Sequence, residues 1–457
     1  MVIRSQISGL IWPSIVSPTD AMLLALQFQL ERSQWWTLEQ IQHHQLLQAK
    51  SLLVHAATTV QHYKQTIPQS IMESVGDLDW VLWQSIPILE RKDVQEFSQN
   101  LISKMIPQSH QPVGIGMTSG STGRPISLMR TKVTSMMWDA FTLRAHLWYD
   151  RNLSKKRAAI KYFESGVAIA PIGAQQLGWG SASDMFLPHG EVVALNVSTP
   201  IQEQVQWLLK EQPDYLVSYP SNLTAIAEHC IRGGIKLPNL RELATIGELL
   251  CVEQRIVCRE AFGLEIIDTY SAEEVGYIAM QCPLNQHLHI QSENVLVEVI
   301  DDDGNPCKPG EIGRVIITTL HNFAKPLIRY AIGDYAEVGE SCECGRGLPV
   351  LKKVMGRARN MFVKPNGDLF WPVAPRVSKG YESYAQALRQ IQYVQKALDW
   401  IEIRLVVTDV PPKGWEESFI LNISKLYNYP YKVTFTYVKN IPSGKNGKFE
   451  EFVNELD

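Results

Sequence analysis

Apolar side chains at Leu38, Ile41, Leu46, Leu53, Ala57, Val60 and Tyr63 share one face when the chain is wound as a helix, which predicts one long helix over 37–66. Pro68 stands just past that pattern, where a helix has commonly stopped. Residues 113–117 are apolar and glycine-rich, and the chain then turns polar at Thr118 and Ser119, a short strand running into a loop. β-Branched residues crowd 294–300, 314–319 and 403–407 and predict strands, with Asp301 to Gly304 as the turn between the first two. Patterns of helical period occupy 202–211, 221–233 and 384–399. Helices alternating with strands make this an α/β chain, and its C-terminal portion reads as a small α+β unit of its own. The expected boundary is a hinge at Gly356 and Arg357, giving units of 1–356 and 357–457.

With 457 residues the chain is long enough for two or three domains. Its 43 basic and 47 acidic side chains leave a net charge of −4, which excludes a general nucleic-acid binder and a disordered acidic tail. No apolar run approaches the roughly 18 residues of a membrane-spanning helix. The apolar stretch 10–16 is short and broken by Pro13 and Ser14, so Met1 is expected to be the mature start. Seven cysteines, an odd number in a long chain, suit a reducing cytoplasm better than a disulfide framework.

The segment Thr118, Ser119, Gly120, Ser121, Thr122, Gly123, Arg124 holds two glycines for close backbone approach and four hydroxyls. With its N–H groups it can form a concave donor surface for phosphate oxygens. The chain has no G-x-x-x-x-G-K-[ST] and no G-x-G-x-x-G, so this is neither the common hydrolase loop nor a dinucleotide site. Taken alone the segment also reads as a surface turn.

In company it resembles the phosphate loop of the AMP-forming adenylating enzymes, closest to the phenylacetate–CoA ligase and capsular-polysaccharide-type branch. Other segments match in order along the chain. Leu53-Val-His-Ala-Ala and Ile86-Pro-Ile-Leu-Glu-Arg-Lys-Asp are similar to the N-terminal portion of that branch, and Gly247-Glu248 resembles the element beside adenine. Tyr270-Ser-Ala-Glu-Glu274 stands where the family has Tyr-Gly-x-Thr/Ser-Glu. Pro326-Leu-Ile-Arg-Tyr-Ala-Ile-Gly-Asp334 is similar to the ribose segment, Met355-Gly-Arg357 to the hinge, and Gly447-Lys448 to the C-terminal lysine loop.

The resemblance implies a large N-terminal adenylating domain of β-sheets flanked by helices and a small mobile C-terminal domain. It implies attack of a carboxylate on the α-phosphate of ATP, giving an acyl-adenylate and pyrophosphate, and then transfer of the acyl group. Residues 118–123 would cradle phosphates, with Arg124 adding charge where the family often has Lys. Gly247, Glu248, Tyr270 and Ser271 would border the nucleotide, Asp334 would accept from both ribose hydroxyls, and Arg357 would contact the ribose or phosphate. Glu274 would hold Mg²⁺, and Lys448, rather than Lys445, would bridge carboxylate and α-phosphate. The chain departs from the pattern in having Ser271 for Gly, Glu273 for Thr or Ser, and Arg359-Asn360 where acidic residues are frequent.

CoA is the acceptor expected from the branch; an amine, a glycan hydroxyl or a carrier-protein thiol is the alternative, and a catalytically retired scaffold a third. Residues 138–149 and Gly178-Trp-Gly are candidates for the acyl pocket, as readily core as substrate box, and Tyr219 to Asn222 opens a helix. Cys282, His287, Cys342 and Cys344 would suffice for a tetrahedral structural Zn²⁺, with His289 as the alternate ligand. The other reading of the same residues is reduced cysteines and surface histidines.

Overall fold

Thr37 opens the helix Leu38–Thr59 through a capping box, its hydroxyl accepting from Gln40 N while the Gln40 side chain accepts from Thr37 N. The expected long helix is two helices. Val60 is extended and bridges to Ser103, and a second helix runs Gln61–Thr66. Ile41, Leu53, Val60 and Tyr63 are buried as the pattern requires, whereas Leu38 lies exposed at the first turn. The Tyr63 hydroxyl donates to Pro326 O and accepts from Ile328 N, fastening this helical layer to the 326–334 segment.

The computed structural model describes residues 2–117, 126–357, 360–372, 374–375, 387–442 and 449–456. A six-stranded sheet has the order Ile266–Ile267, Glu242–Thr245, Tyr215–Ser218, Arg157–Lys161, Glu191–Asn196, Ala174–Leu177, parallel except for the last strand. Helices Ile201–Glu211, Pro220–Gly233 and Val252–Phe262 bury Leu208, Leu223, Ile226 and Cys258 against one face of it. Parallel strands with helical crossovers are what alternating helix and strand patterns produce.

A seven-stranded antiparallel sheet runs Thr269–Ala272, Gly276–Gln281, Leu288–Ile290, Val350–Arg357, Tyr330–Val338, Ile312–Thr319, Val295–Ile300. The helix Leu38–Thr59 packs on it through Leu52, Leu53 and Ala56. The helix Lys132–Trp148 also packs against this sheet, the Phe141 ring 6.4 Å from that of Tyr277. That helix follows the hairpin Val113–Met117 and Ser127–Thr131, whose paired ends Met117 and Ser127 flank the glycine-rich loop.

The C-terminal unit has its own core, with Tyr393, Ile403, Trp415, Phe419 and Tyr431 buried together. Its sheet is ordered Lys432–Tyr437, Trp400–Val407, Leu388–Ala397, Phe452–Asn454, covered by the helix Trp415–Tyr427. Here the expected helix over 384–399 is instead the strand Leu388–Ala397. Gln392, Tyr393, Val394 and Gln395 are all buried because the strand has neighbours on both edges and cover on both faces. Burial of consecutive residues hides the period of two, and glutamines among them mimic the polar face of a helix.

Candidate active site

One cavity of about 2890 Å³ opens between the six-stranded sheet, the seven-stranded sheet and the C-terminal unit. Most of the sequence motifs reach it. Tyr330–Val338 and Val350–Arg357 pair antiparallel with Asp334 opposite Arg357, so the two residues meet by register. Arg357 Nε lies 3.5 Å from Asp334 Oδ1, and the Tyr270 hydroxyl donates to Asp334 Oδ2 at 2.7 Å. Burial pushes the Asp334 carboxyl up, while the Arg357 charge and the Tyr270 bond pull against it. Tyr270 is held well above its ordinary range, by burial first and the Asp334 charge second, and so keeps the proton it donates. Ser271 follows at a β-bulge, where the register slips between Tyr270 and Ser271.

Glu274 is nearly buried, its side chain 6% exposed. Arg91 Nη1 donates to its Oε1 at 3.2 Å and to the Tyr330 hydroxyl oxygen at 2.9 Å, and Tyr330 donates to the same Oε1 at 3.4 Å. Glu273 goes the other way, into an exposed ion pair with Arg130. The two adjacent acids are therefore not one solvated pair. Arg91 is placed by a strand-like contact: Leu89 N donates to Arg329 O and Ala331 N to Leu89 O, both at 2.9 Å. Arg329 is itself locked by a buried pair with Glu298 and by Ile86 O.

Gly247 turns the chain with φ +75°, a conformation that favours glycine, and Glu248 follows into the cavity. Its Oε2 accepts from Ser221 N at 3.1 Å, in the first turn of the helix after Tyr219. Its Oε1 accepts from Phe449 N at 2.7 Å, which brings the residue after Lys448 against the Gly-Glu element. Thr118, Ser119, Gly120, Ser121, Thr122, Gly123 and Arg124, together with Lys445 and Lys448, lie outside the described residues. Gly356 takes φ +95° just before Arg357, with Leu249 and Trp371 close by.

The cysteine set assembles with one exchange. Ligand atoms of Cys282, His289, Cys342 and Cys344 lie within 4.8 Å of one another; His287 is not in the group. Cys282 Sγ is 3.7 Å from Cys342 Sγ, and Cys344 Sγ is 3.3 Å from His289 Nε2. His289 sits within the strand Leu288–Ile290, paired to Met280 on one side and Val350 on the other, which fixes its ring. His287 precedes the strand, and its carbonyl closes the turn by accepting from Cys282 N. Burial lowers His289 to about 4, so its imidazole is neutral. Its Nδ1 lies 3.2 Å from Leu348 O, which as a donated bond leaves Nε2 as the free lone pair facing the thiols. Three thiols and one imidazole are a donor set that fits Zn²⁺.

Sequence reasoning quoted Arg91 within a motif but gave it no role, and it gave none to Tyr330 or to the contact of Phe449 with Glu248. Their partners are far away in sequence, Arg91 and Glu274 being 183 positions apart. It also passed over the cavity floor. Arg157, Tyr215 and Glu242 stand on adjacent strands and line the end of the cavity beneath Trp179 and Tyr149.

No family model matches the chain. It is 23% identical over 328 residues to a phenylacetate-coenzyme A ligase of Thermus thermophilus, a match covering 69% of each chain. Protein CapK of Staphylococcus aureus is 21% identical over 406 residues, which covers 81% of this chain and 80% of that one. Among solved structures, a 2-hydroxyisobutyryl-CoA ligase in its postadenylation state, bound to 2-HIB-AMP, superposes with a TM-score of 0.70 at 16% identity. That match covers 93% of this chain and 92% of the other. The same ligase in its thioesterification state, with 2-HIB-AMP and CoA, gives 0.57 at 17% identity over 93% and 91%. These likenesses agree with the order of motifs along the sequence: the chain is similar to phenylacetate-coenzyme A ligases and CapK over most of its length, and it shares the fold of an adenylate-forming CoA ligase.

Proposed function

We propose that this enzyme activates a small-molecule carboxylic acid with ATP and passes the acyl group to CoA. A carboxylate oxygen attacks the α-phosphorus, the bond to pyrophosphate breaks, and the thiolate of CoA then displaces AMP from the acyl-adenylate. The observation that best supports this is the half-buried trio Tyr270, Asp334 and Arg357, a carboxylate with two acceptor oxygens held in place to meet a ribose diol. Glu274 would hold Mg²⁺ through Oε2, which takes no hydrogen bond among the described residues while Arg91 and Tyr330 fix Oε1. When bound, the ion would neutralise phosphate charge. Lys448 would bridge the carboxylate and α-phosphate oxygens, delivered by a C-terminal domain, 357–457, that swings about the hinge at Gly356 and Arg357. Residues 118–124 would cradle the phosphates, with Gly247 and Glu248 beside the base.

No helix among the described residues is long and apolar enough to cross a membrane. We place the reaction in the cytoplasm, where ATP and CoA are at hand and the seven free cysteines would stay reduced. Pyrophosphate exchange across a panel of acids tests the adenylation half, and thioester formation with CoA tests the rest. Exchange with a good acid but no thioester would move the acceptor to an amine, a glycan hydroxyl or a carrier thiol. No exchange with any acid would overturn adenylation.

The Cys282, His289, Cys342 and Cys344 cluster is proposed to hold a structural Zn²⁺ that clamps the strand ends leading to Asp334 and Arg357. Four protein ligands leave no open position, so the ion would not take part in the chemistry. Elemental analysis of protein purified without added metal should find about one zinc per chain on this four-ligand model, and Cys342→Ser should lose it. A metal-free protein with unchanged melting temperature would dispose of the site.

A further inference from the structure

The six-stranded sheet turns one face to the helices and the other to the cavity. Along Arg157–Lys161, Ala158 and Ile160 enter the helical core, while Arg157, Ala159 and Lys161 line the cavity. The neighbouring strands alternate in the same phase: Leu216 and Leu243 go to the core, Tyr215, Val217, Glu242 and Ala244 to the cavity. Period-two alternation thus gathers Arg157, Tyr215 and Glu242 at the end of the floor where these strands begin. Asp334, Tyr270 and Glu248 lie toward the other end, where the strands finish.

The charges at the first end do not balance. Glu242 is already committed, because Arg151 Nε donates to its Oε1 at 2.8 Å and the two side chains are only 13% and 11% exposed. Arg157 takes no ion pair and no side-chain hydrogen bond among the described residues. The Trp179 ring lies over it, 5.6 Å from Cζ. His146, in the same cluster, supplies no negative charge. Burial holds it neutral, and its Nδ1 lies 3.2 Å from Arg151 Nη1. The nearby tyrosines are occupied, the Tyr149 hydroxyl by Gln281 O and the Tyr215 hydroxyl by Asn152 N.

A guanidinium cannot shed its charge, so one set below the surface without an anion is costly unless something else answers it. Burial first and the neighbouring Arg151 second work against the charged form of Arg157, and the charge of Glu242, already paired to Arg151, offsets them only in part. Among the described residues Arg157 is thus a cation with no ion pair of its own, on the wall of the cavity into which the acid would extend. A guanidinium fork matches a carboxylate in shape as well as sign.

From this geometry we propose that the acid carries a second carboxylate at its far end, bound by Arg157 beneath Trp179, so that the enzyme selects dicarboxylic acids. The inference rests on the carboxylate-activating function proposed above and names the class of its substrate. Arg157 is a specificity residue, remote from the reacting carboxylate.

The test compares α,ω-dicarboxylates of increasing length with their monomethyl esters, in which size is kept and the distal charge is lost. Pyrophosphate release is followed for the wild type, Arg157→Gln and Arg157→Lys. In the wild type one chain length should be used at least about tenfold better, in kcat/KM, as the diacid than as the half ester, since the half ester leaves the cation unpaired. Arg157→Gln should erase that preference through KM while keeping half-ester turnover, and Arg157→Lys should restore part of it. Equal use of diacid and half ester by the wild type overturns the proposal, whatever the variants do. So does an Arg157→Gln protein that loses both substrates in proportion, the mark of a purely structural role. Calorimetric titration of the same diacids without ATP separates the two readings. Binding that depends on Arg157 in a protein that releases no pyrophosphate would count against acid activation and for the distal site.

Discussion

The two ends of the cavity handle charge in opposite ways. At the proposed nucleotide end three acids have their partners: Asp334 has Arg357 and Tyr270, Glu274 has Arg91 and Tyr330, and Glu248 has two backbone N–H groups. At the proposed acyl end Arg157 faces the cavity with no ion pair among the described residues, the Trp179 ring 5.6 Å from its Cζ. A site that is electrostatically closed before ligand arrives can be preorganised for a molecule that never changes, which suits the nucleotide. A site with a charge left over is completed only by its own ligand, which is how a pocket rejects what lacks the matching group. The constant part of the substrate and the variable part would thus be read by different physics within one cavity.

The sharpest break in that comparison should come at the nucleotide end. Lys448→Ala should slow adenylate formation by roughly 10²–10³, the scale of losing one preorganised charge donor, with ATP binding largely kept. Pyrophosphate exchange within twofold of wild type would point instead to Lys445.

Asp334→Asn should act on binding. It keeps the shape and one acceptor but gives up charge-assisted bonds worth about 1.5–3 kcal/mol, so ATP affinity should fall by roughly tenfold to a hundredfold. Titration calorimetry with ATP measures this, and an unchanged affinity would take Asp334 out of the site. An accompanying melting curve shows whether Tyr270 and Arg357 still pack, because both lose part of their partner.

The same contrast explains what could be read along the chain. Tyr270, Glu274, Asp334 and Arg357 stand in short linear motifs, since each is positioned by its own strand and the register of the next. Arg91 needed a partner 183 residues away, and no local pattern carries that information. His289 displaced His287 because sheet register decides which of two neighbouring imidazoles faces the thiols. The strand Leu388–Ala397 passed for a helix because burial on both faces removes the alternation that marks a strand. Arg157 is the extreme case. Its alternation with Ala159 and Lys161 is visible in the sequence, but that it takes no ion pair among the described residues follows only from where its neighbours go, Glu242 to Arg151 above all.

The smallest expected effect lies where the C-terminal unit meets the large one. Glu451 follows the Phe449 contact and is pushed up to about 7, by burial first and by the charge of Glu253 second. Glu253 sits in the first turn of the helix Val252–Phe262, beyond the Gly-Glu element. A folded-state pKa above the unfolded value means that Glu451 stays protonated in the fold after the unfolded chain has released its proton. The native state then binds more protons, and stability must fall as pH rises. The stabilisation is fully present below the unfolded value of about 4.3, is lost as pH climbs toward 7, and does not return above it. Glu451→Gln cannot ionise and should flatten that slope. Melting curves taken from pH 5 to pH 8 should find the variant level with wild type at the acid end and higher at the basic end. Parallel profiles for the two proteins would show that Glu451 titrates as an ordinary carboxylate, and the meeting of the two units would then be indifferent to pH at this position.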